Sequence, residues 1–150
     1  MKADEPRLSD AGPPLSETTE SQQVGLHVLV ADDHQDHAET MMALLLGLSA
    51  VATVDVANDG LQAVRLARAR PPDLAILDIE MPHLSGADTA RAIQSSFNNR
   101  CPLLVAMTGN PDSAAASELS GVFAHILTKP IDFSHVASAI AAASLRSRTT

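Results

Sequence analysis

Short apolar runs alternate with segments of helical periodicity from residue 26 onward, and this alternation restricts the fold more than any other feature. The run LHVLVA (26–31) reads as a buried strand, and after it Ala38, Met41 and Leu45 recur at helical spacing. Strands that alternate with helices form a parallel sheet that is covered on both faces. The pattern therefore predicts an α/β fold with a doubly wound, five-stranded parallel sheet.

The alternation repeats five times along the chain. The predicted strands are 26–31, 51–57, 72–78, 102–108 and 122–128, and the predicted helices are 34–48, a segment after Gly60, 86–97, 111–120 and 132–145. In the second helix, Leu61, Val64 and Ala67 are expected to face the core. We expect residues 25–148 to form a single domain.

The first 24 residues have a different composition. They contain Pro6, Pro13 and Pro14, many Ser and Thr residues, and almost no large apolar side chains. Such a segment cannot bury enough surface to offset its ordering entropy, so residues 1–24 are predicted to be a disordered N-terminal extension.

Charge and cysteine content narrow the choice of partner and compartment. The net charge of −8 argues against nucleic acid or an anionic membrane as the main partner. A single cysteine, Cys101, excludes an internal disulfide and suits a reducing compartment. The chain lacks the pattern of a signal peptide, and its longest apolar stretch (41–52) is shorter than the roughly 20 residues that span a bilayer. A cytoplasmic location is predicted.

Polar residues follow four of the five predicted strands. Asp32 and Asp33 follow the first, Asp78 the third, Thr108 the fourth and Lys129 the fifth. Because parallel strands end at one edge of the sheet, these side chains should converge there. Three carboxylates without a counter-charge would repel one another, and at least one would keep its proton. A hard divalent cation removes this cost, so the set predicts a Mg²⁺ site.

The same set predicts phosphoryl transfer to a carboxylate, with Asp78 as the nucleophile. Asp78 stands alone between a strand and the turn at Met81-Pro82, so it should point into the cleft. A backbone carbonyl near Glu80 can reach the cation, while Lys129 and Thr108 suit phosphate oxygens. Any one of these acids could simply be a helix cap or a loop residue, but that reading does not explain five positions at once.

The motifs that carry these residues resemble a receiver domain of the two-component response regulators. They are ADD (31–33), LDIEMPHLSG (77–86), MTG (107–109) and TKP (128–130), in that family's order and spacing. The resemblance covers residues 26–145. It implies a flavodoxin-like sheet of strand order 2-1-3-4-5 with five helices. It also implies that Asp78 accepts a phosphoryl group from the phosphohistidine of a histidine kinase or histidine phosphotransfer protein.

The resemblance implies a metal role for four of these residues. Asp33, Asp78 and the backbone carbonyl of Glu80 would bind Mg²⁺, and Asp32 would support the ion from nearby.

Further roles at the phosphoryl group are implied in the same way. Lys129 would pair with the phosphoryl oxygens, Thr108 would hydrogen-bond one of them, and the Lys129–Pro130 peptide would be cis.

One position departs from the family pattern. Three residues before the lysine the family often has an aromatic ring, which turns inward when the Thr or Ser hydroxyl is drawn to the phosphate. Ile126 occupies that position here and cannot make the ring movement. Coupling from Thr108 to the face formed by the predicted fourth helix, fifth strand and fifth helix, where a downstream protein would bind, is therefore expected to be weak or to use another side chain.

Other functions stay open at this point. A haloacid-dehalogenase-type phosphatase also uses a strand-end Asp with Mg²⁺, but it needs a second Asp where Glu80 stands. A pseudo-receiver would bind partners without switching. We expect self-catalysed phosphotransfer and dephosphorylation rather than turnover of a substrate, either in a stand-alone receiver or in the terminal receiver of a hybrid kinase. His34 and His37 could join Asp33 in a zinc site, but no Cys or third His completes that set.

Overall fold

The structure, a computed structural model, describes residues 25–97, 101–110 and 121–149. The strands are β1 (Leu26–Ala31), β2 (Val51–Ala57), β3 (Leu74–Asp78), β4 (Leu103–Thr108) and β5 (His125–Thr128). The helices are α1 (Gln35–Leu46), α2 (Gly60–Ala69), α3 (Gly86–Ser96) and α4 (Phe133–Thr149). The predicted N-terminal extension (1–24) and the predicted fourth helix (111–120) lie outside the described residues, so α4 corresponds to the predicted fifth helix. Within the described ranges, no helix combines the length and apolar character needed to cross a bilayer.

The sheet confirms the predicted topology. Its five strands are ordered β2-β1-β3-β4-β5, and every neighbouring pair is parallel. All residues of β3 are buried, because this strand lies in the middle of the sheet with helices over both faces. Asp78 is the last residue of β3, so the most enclosed strand of the fold ends in a carboxylate.

Helices cover the sheet on two sides, as a doubly wound fold requires. On one side α1 contributes Ala38 and Leu45 and α4 contributes Val136 and Ile140 to a common apolar cluster. On the other side a second cluster contains residues of α2 and α3, including Ile93. The two clusters hold the sheet between them, and its carboxyl edge carries the loops that follow the strands.

Two details of the sequence prediction are wrong. Leu61 is 46% exposed, because α2 packs through Gly60, Ala63 and Ala67, and Leu61 is turned by roughly 100° from Gly60 on the helix. The fifth strand begins at His125 rather than at 122, and only its last four residues pair with β4.

His27 is a titratable side chain at the opposite end of β1 from the polar strand ends. Its Nδ1 lies 2.7 Å from the Thr53 hydroxyl and its Nε2 lies 3.1 Å from an Asp55 carboxylate oxygen. Burial lowers the pKa of His27, and Arg70 adds to this, while Asp55 and Asp73 partly oppose it.

We therefore expect acid to destabilise the fold through His27. With a folded-state pKa below the unfolded value of 6.5, the unfolded chain binds more protons in the interval between the two values. The contribution of neutral His27 to the free energy of unfolding is fully present above pH 6.5 and is lost as the pH falls toward the folded-state pKa. In this interval the free energy of unfolding falls by at most about 1.4 kcal/mol per pH unit. Urea unfolding of wild type and His27→Gln at pH 8 and pH 5 measures the effect. The wild type should lose more stability than the variant; an equal loss would contradict the prediction.

Candidate functional site

The register of the sheet brings the predicted site residues to one edge. β1 and β3 pair Ala31 with Leu77, and β3 and β4 pair Asp78 with Met107. The residues just beyond Ala31 therefore lie beside Asp78. Thr108 ends β4 and pairs with Thr128, directly before Lys129.

Asp78 is buried and accepts hydrogen bonds from two donors. Its side chain is 2% exposed, and its Oδ2 accepts a hydrogen bond from Lys129 Nζ at 2.7 Å. Its Oδ1 accepts one from the backbone N–H of Glu80 at 3.0 Å. The backbone N–H of Lys129 donates to the Thr108 carbonyl at 2.8 Å, which fixes the start of the loop after β5 against β4. The central ion pair of the site thus joins the ends of β3 and β5.

The ammonium group of Lys129 is stabilised by acidic neighbours. Partial burial alone lowers the pKa of Lys129, but its hydrogen bond and charge attraction to Asp78, together with Asp32 and Glu80, raise the pKa overall above its ordinary value. Lys129 is consequently a fixed positive charge at neutral pH, beside a carboxylate that water reaches poorly.

Asp32 and Asp33 lie close to Asp78 in different environments. Asp32 is buried and its Oδ1 accepts a hydrogen bond from the backbone N–H of His34 at 2.9 Å, whereas the side chain of Asp33 is 33% exposed. One oxygen of each of the three carboxylates and a ring nitrogen of His34 all lie within 4.8 Å of one another. The structure therefore brings the three predicted acids together.

Burial, together with repulsion from a neighbouring carboxylate, raises the pKa of Asp32. Burial is the largest cause and the Asp78 carboxylate adds to it, while the His34 N–H and the Lys129 charge oppose the increase. A cation among these oxygens would relieve both the burial cost and the repulsion. Three carboxylates at this spacing fit Mg²⁺, which prefers hard oxygen ligands.

Thr108 and Ile126 lie on neighbouring strands and differ in exposure. Thr108 is buried, and its hydroxyl oxygen accepts a hydrogen bond from the backbone N–H of Asn110 at 3.0 Å. Ile126 is 36% exposed and pairs with Ala106. The Lys129–Pro130 peptide bond that follows β5 is cis.

The path of the loop between β3 and α3 requires a residue without a side chain at Gly86. A Cβ at this position would contact the carbonyl oxygen of Asp78 and lie 2.6 Å from the Cα of Ile79, and the N–H of Gly86 donates to the Ile79 carbonyl at 2.9 Å. Ser85 caps α3 through a hydrogen bond from the Asp88 N–H to its hydroxyl. The chain must therefore pass very close to the backbone of Asp78 as it enters α3.

We expect Gly86→Ala to destabilise the protein by about 1–3 kcal/mol, since the added methyl group has no space without backbone movement. Gly121→Ala is the control, because a Cβ there meets nothing within 4 Å. It should change stability by less than about 0.5 kcal/mol. Urea unfolding of both variants checks the expectation, and equal stabilities would contradict it.

The sequence did not indicate the cavity beside the acids. A cavity of about 360 Å³ lies between α1 and the start of α4, with Asp32 and Lys129 at its polar end and Met41, Leu44 and Phe133 along its apolar wall. The sequence signal was Leu44, a large apolar residue outside the helical repeat of Ala38, Met41 and Leu45, and the structure leaves it 46% exposed.

Comparison with known proteins places this geometry in a family. The model of the response regulator receiver domain matches residues 28–141. The transcriptional regulatory protein ZraR of Klebsiella oxytoca is 34% identical over 106 residues, which is 71% of this chain and 23% of that protein. Transcription factor SKN7 of Saccharomyces cerevisiae is 36% identical over 108 residues, which is 70% of this chain and 17% of that protein. The chain thus spans about a quarter or less of the length of these relatives.

A solved structure supports the fold. The receiver domain of a sensor histidine kinase from Pseudomonas aeruginosa PAO1, which has a magnesium ion coordinated in its active-site cleft, superposes with a TM-score of 0.71 at 24% identity. The match covers 80% of this chain and 98% of that domain.

Proposed function

The chain belongs to the response regulator receiver domain family, and we propose that its Asp78 accepts a phosphoryl group from the phosphohistidine of a histidine kinase or a histidine phosphotransfer protein. The observation that carries the proposal is the buried Asp78 carboxylate at the end of β3, paired with Lys129 Nζ at 2.7 Å. A buried acid costs free energy unless it is paired, and this one is paired at an edge where polar groups from several strands meet.

In the proposed reaction, a carboxylate oxygen of Asp78 attacks the phosphorus atom of the donor. A P–O bond to Asp78 forms while the P–N bond to the partner's imidazole breaks, and the imidazole nitrogen leaves with the bonding pair and is protonated. The ammonium of Lys129 moves from Asp78 to the phosphoryl oxygens, where negative charge is concentrated. The Thr108 hydroxyl, whose oxygen accepts a hydrogen bond from the Asn110 N–H, would donate its hydrogen to a phosphoryl oxygen.

The acids at the edge would hold the metal. Asp33, Asp78 and the backbone carbonyl of Glu80 would bind Mg²⁺, and Asp32 would support the ion from its buried position. When bound, the ion supplies positive charge that offsets the carboxylates and the incoming phosphoryl group. The donor chemistry of the three clustered carboxylates supports this assignment.

Mg²⁺-dependent labelling by phosphoramidate, a small donor with a P–N bond, tests the function. Intact mass spectrometry should find one added phosphoryl group with Mg²⁺ present and none after chelation. A chain that stays unlabelled under all conditions would be a binding module without phosphoacceptor activity. Continuous hydrolysis of a generic ester such as p-nitrophenyl phosphate would favour a phosphatase of the haloacid-dehalogenase type. Either result would contradict the proposal.

Signalling would follow from a population shift in the loops after β3 and β4. Thr108 would begin the change, and Ile126 would carry it toward the face that a downstream protein contacts. The aliphatic, 36% exposed side chain of Ile126 offers no hydroxyl group to anchor it inward, so we expect a smaller movement than an aromatic residue would give.

Amide NMR spectra with and without Mg²⁺ and beryllofluoride, a phosphoryl analogue, check this switch. We expect large shifts for Glu80, Gly109 and Lys129, whose backbone lies at the site, and smaller shifts for His125 and Ile126. Unchanged spectra at saturating analogue would contradict a switch of any kind.

The domain covers only a small part of the length of its relatives. Because the chain spans a quarter or less of its curated relatives, the output of the whole protein belongs to this proposal: either phosphate relay or direct contact with a target protein. We propose no turnover beyond self-catalysed phosphotransfer and dephosphorylation. A cytoplasmic location suits the free thiol of Cys101.

A further inference from the structure

Two histidines and a buried acid converge at the start of α1. His34 Nδ1 lies 3.5 Å from Asp32 Oδ1, and His37 Nδ1 lies 3.9 Å from Asp32 Oδ2. The two imidazole rings are 4.9 Å apart between centroids. A ring nitrogen of each histidine and a carboxylate oxygen of Asp32 all lie within 4.8 Å of one another. The sequence predicts Asp33 as the acid of such a set; Asp33 Oδ1 lies 3.2 Å from His34 Nδ1, but it is Asp32 that lies near both histidines.

We propose that Asp32, His34 and His37 form a binding site for a transition-metal cation such as Zn²⁺, which competes with Mg²⁺ for Asp32. Imidazole nitrogen is a good ligand for zinc, copper and nickel and a poor one for Mg²⁺, which prefers oxygen. Two nitrogens and one carboxylate, with a water in the fourth position, are a donor set that Zn²⁺ accepts.

The geometry is close to what such an ion needs. Zn–N and Zn–O bonds of about 2.0–2.2 Å in a tetrahedron place donor atoms roughly 3.3–3.5 Å apart. The separations of 3.5 Å from His34 to Asp32 Oδ1 and 3.9 Å from His37 to Asp32 Oδ2 involve the two oxygens of one carboxylate, so rotation of the histidine side chains would bring both nitrogens to a shared ion. The histidine side chains are 65% and 63% exposed, so they can rotate and an ion can enter from solvent. Asp32 is held in place by the N–H of His34.

Sharing Asp32 has a consequence for the domain, and this part of the inference rests on the proposed function. An ion on the two histidines withdraws Asp32 from the neighbouring acids and adds positive charge at the rim of the cleft. Both effects weaken Mg²⁺ binding, so Zn²⁺ should slow phosphoryl uptake by Asp78. The histidines would thereby make the receiver sensitive to the concentration of free transition metal.

Competition with a chromophoric chelator measures Zn²⁺ binding directly, using the full chain without a polyhistidine tag. We expect the wild type to bind one Zn²⁺ and expect His34→Ala and His37→Ala each to weaken binding by about tenfold or more. His135→Ala is the matched control, since it removes an exposed histidine from the first turn of α4. It should bind as the wild type does. Equal affinity in all four proteins would overturn the proposal.

A second pair of measurements separates this site from the Mg²⁺ cleft. Excess Mg²⁺ should weaken Zn²⁺ binding, whereas Asp78→Asn should retain it, because Asp78 is not one of the three ligands. If Asp78→Asn loses Zn²⁺ and His37→Ala keeps it, the ion occupies the cleft of acids and the proposal is wrong.

Inhibition of phosphorylation supplies the remaining readout. Micromolar Zn²⁺ should slow labelling of the wild type by acetyl phosphate, and His37→Ala should label at the wild-type rate with Mg²⁺ alone and resist Zn²⁺. Absence of any labelling would refute the proposed function while leaving the binding result intact. Equal inhibition of wild type and His37→Ala would refute the regulatory part of the inference.

Discussion

The Asp78→Asn variant is expected to take up no phosphoryl group from acetyl phosphate or phosphoramidate while keeping its fold. An amide lacks the charge and nucleophilicity of the carboxylate, and Asp78 is the acid whose oxygen accepts the hydrogen bond of the Lys129 ammonium. Intact mass spectrometry of wild type and variant, incubated in parallel with Mg²⁺, measures the difference.

Two controls show whether Asp78→Asn loses phosphoryl uptake without losing its fold. Removing the negative charge of Asp78 relieves its repulsion of Asp32, so thermal unfolding without Mg²⁺ should occur near the wild-type temperature or above it. Asp88→Asn is the matched variant, because Asp88 is an exposed acid whose side chain contacts Arg91 on the same helix. It should be labelled as the wild type is. Labelling of Asp78→Asn at the wild-type level would show that another residue is the acceptor.

Lys129→Ala is expected to produce the second large effect, on both stability and reactivity. The substitution leaves Asp78 buried with only the Glu80 N–H as a donor. Loss of one partner of a buried pair costs about 3–5 kcal/mol. Lys129 is 28% exposed, so we expect a smaller loss, of about 1–3 kcal/mol, when Mg²⁺ is absent.

The rate of phosphoryl uptake should fall more steeply. Removal of one preorganised charge or donor that stabilises a transition state typically costs about 100- to 1,000-fold, and Lys129 is the cation expected on the phosphoryl oxygens. Mass spectrometry over time, with acetyl phosphate and Mg²⁺, measures this rate.

A double variant tests whether the unpaired Asp78 carboxylate causes the stability loss of Lys129→Ala. In Lys129→Ala/Asp78→Asn no buried carboxylate is left unpaired at this position, so the double variant should recover most of the stability that Lys129→Ala loses. Urea unfolding of the wild type, both single variants and the double variant gives the coupling energy. Additive losses would mean that the two side chains do not stabilise each other.

The position of the site could be predicted from the sequence because it follows from topology. Once the chain is divided into alternating strands and helices, the rule that parallel strands end at one edge places Asp32, Asp78 and Thr108 together. No side-chain geometry is needed for that step. Strand order itself came from the resemblance to receiver domains, and the structure confirms it.

Side-chain detail could not be predicted in the same way. Leu61 was expected in the core because it is large and apolar, but the small residues Gly60 and Ala63 let α2 pack closely and leave Leu61 outside. Likewise, the sequence predicts Asp33 beside the histidines, and Asp33 Oδ1 does lie 3.2 Å from His34 Nδ1, but the sequence does not indicate that Asp32 lies near both rings. The backbone N–H of His34 donates a hydrogen bond to Asp32, and this contact holds the Asp32 carboxylate near both rings. Such contacts depend on local backbone angles that hydrophobic periodicity does not report.

Chemical identification of the modified residue shows whether Asp78 is the phosphoryl acceptor. Borohydride reduces an acyl phosphate of aspartate to homoserine, so treatment of the phosphorylated wild type, followed by proteolysis and tandem mass spectrometry, marks the acceptor. We predict homoserine at position 78 in the protein treated with donor and Mg²⁺, and none in the chelated control. Homoserine at Asp32, Asp33 or another acid, or a phosphoryl group found on a histidine, would contradict it.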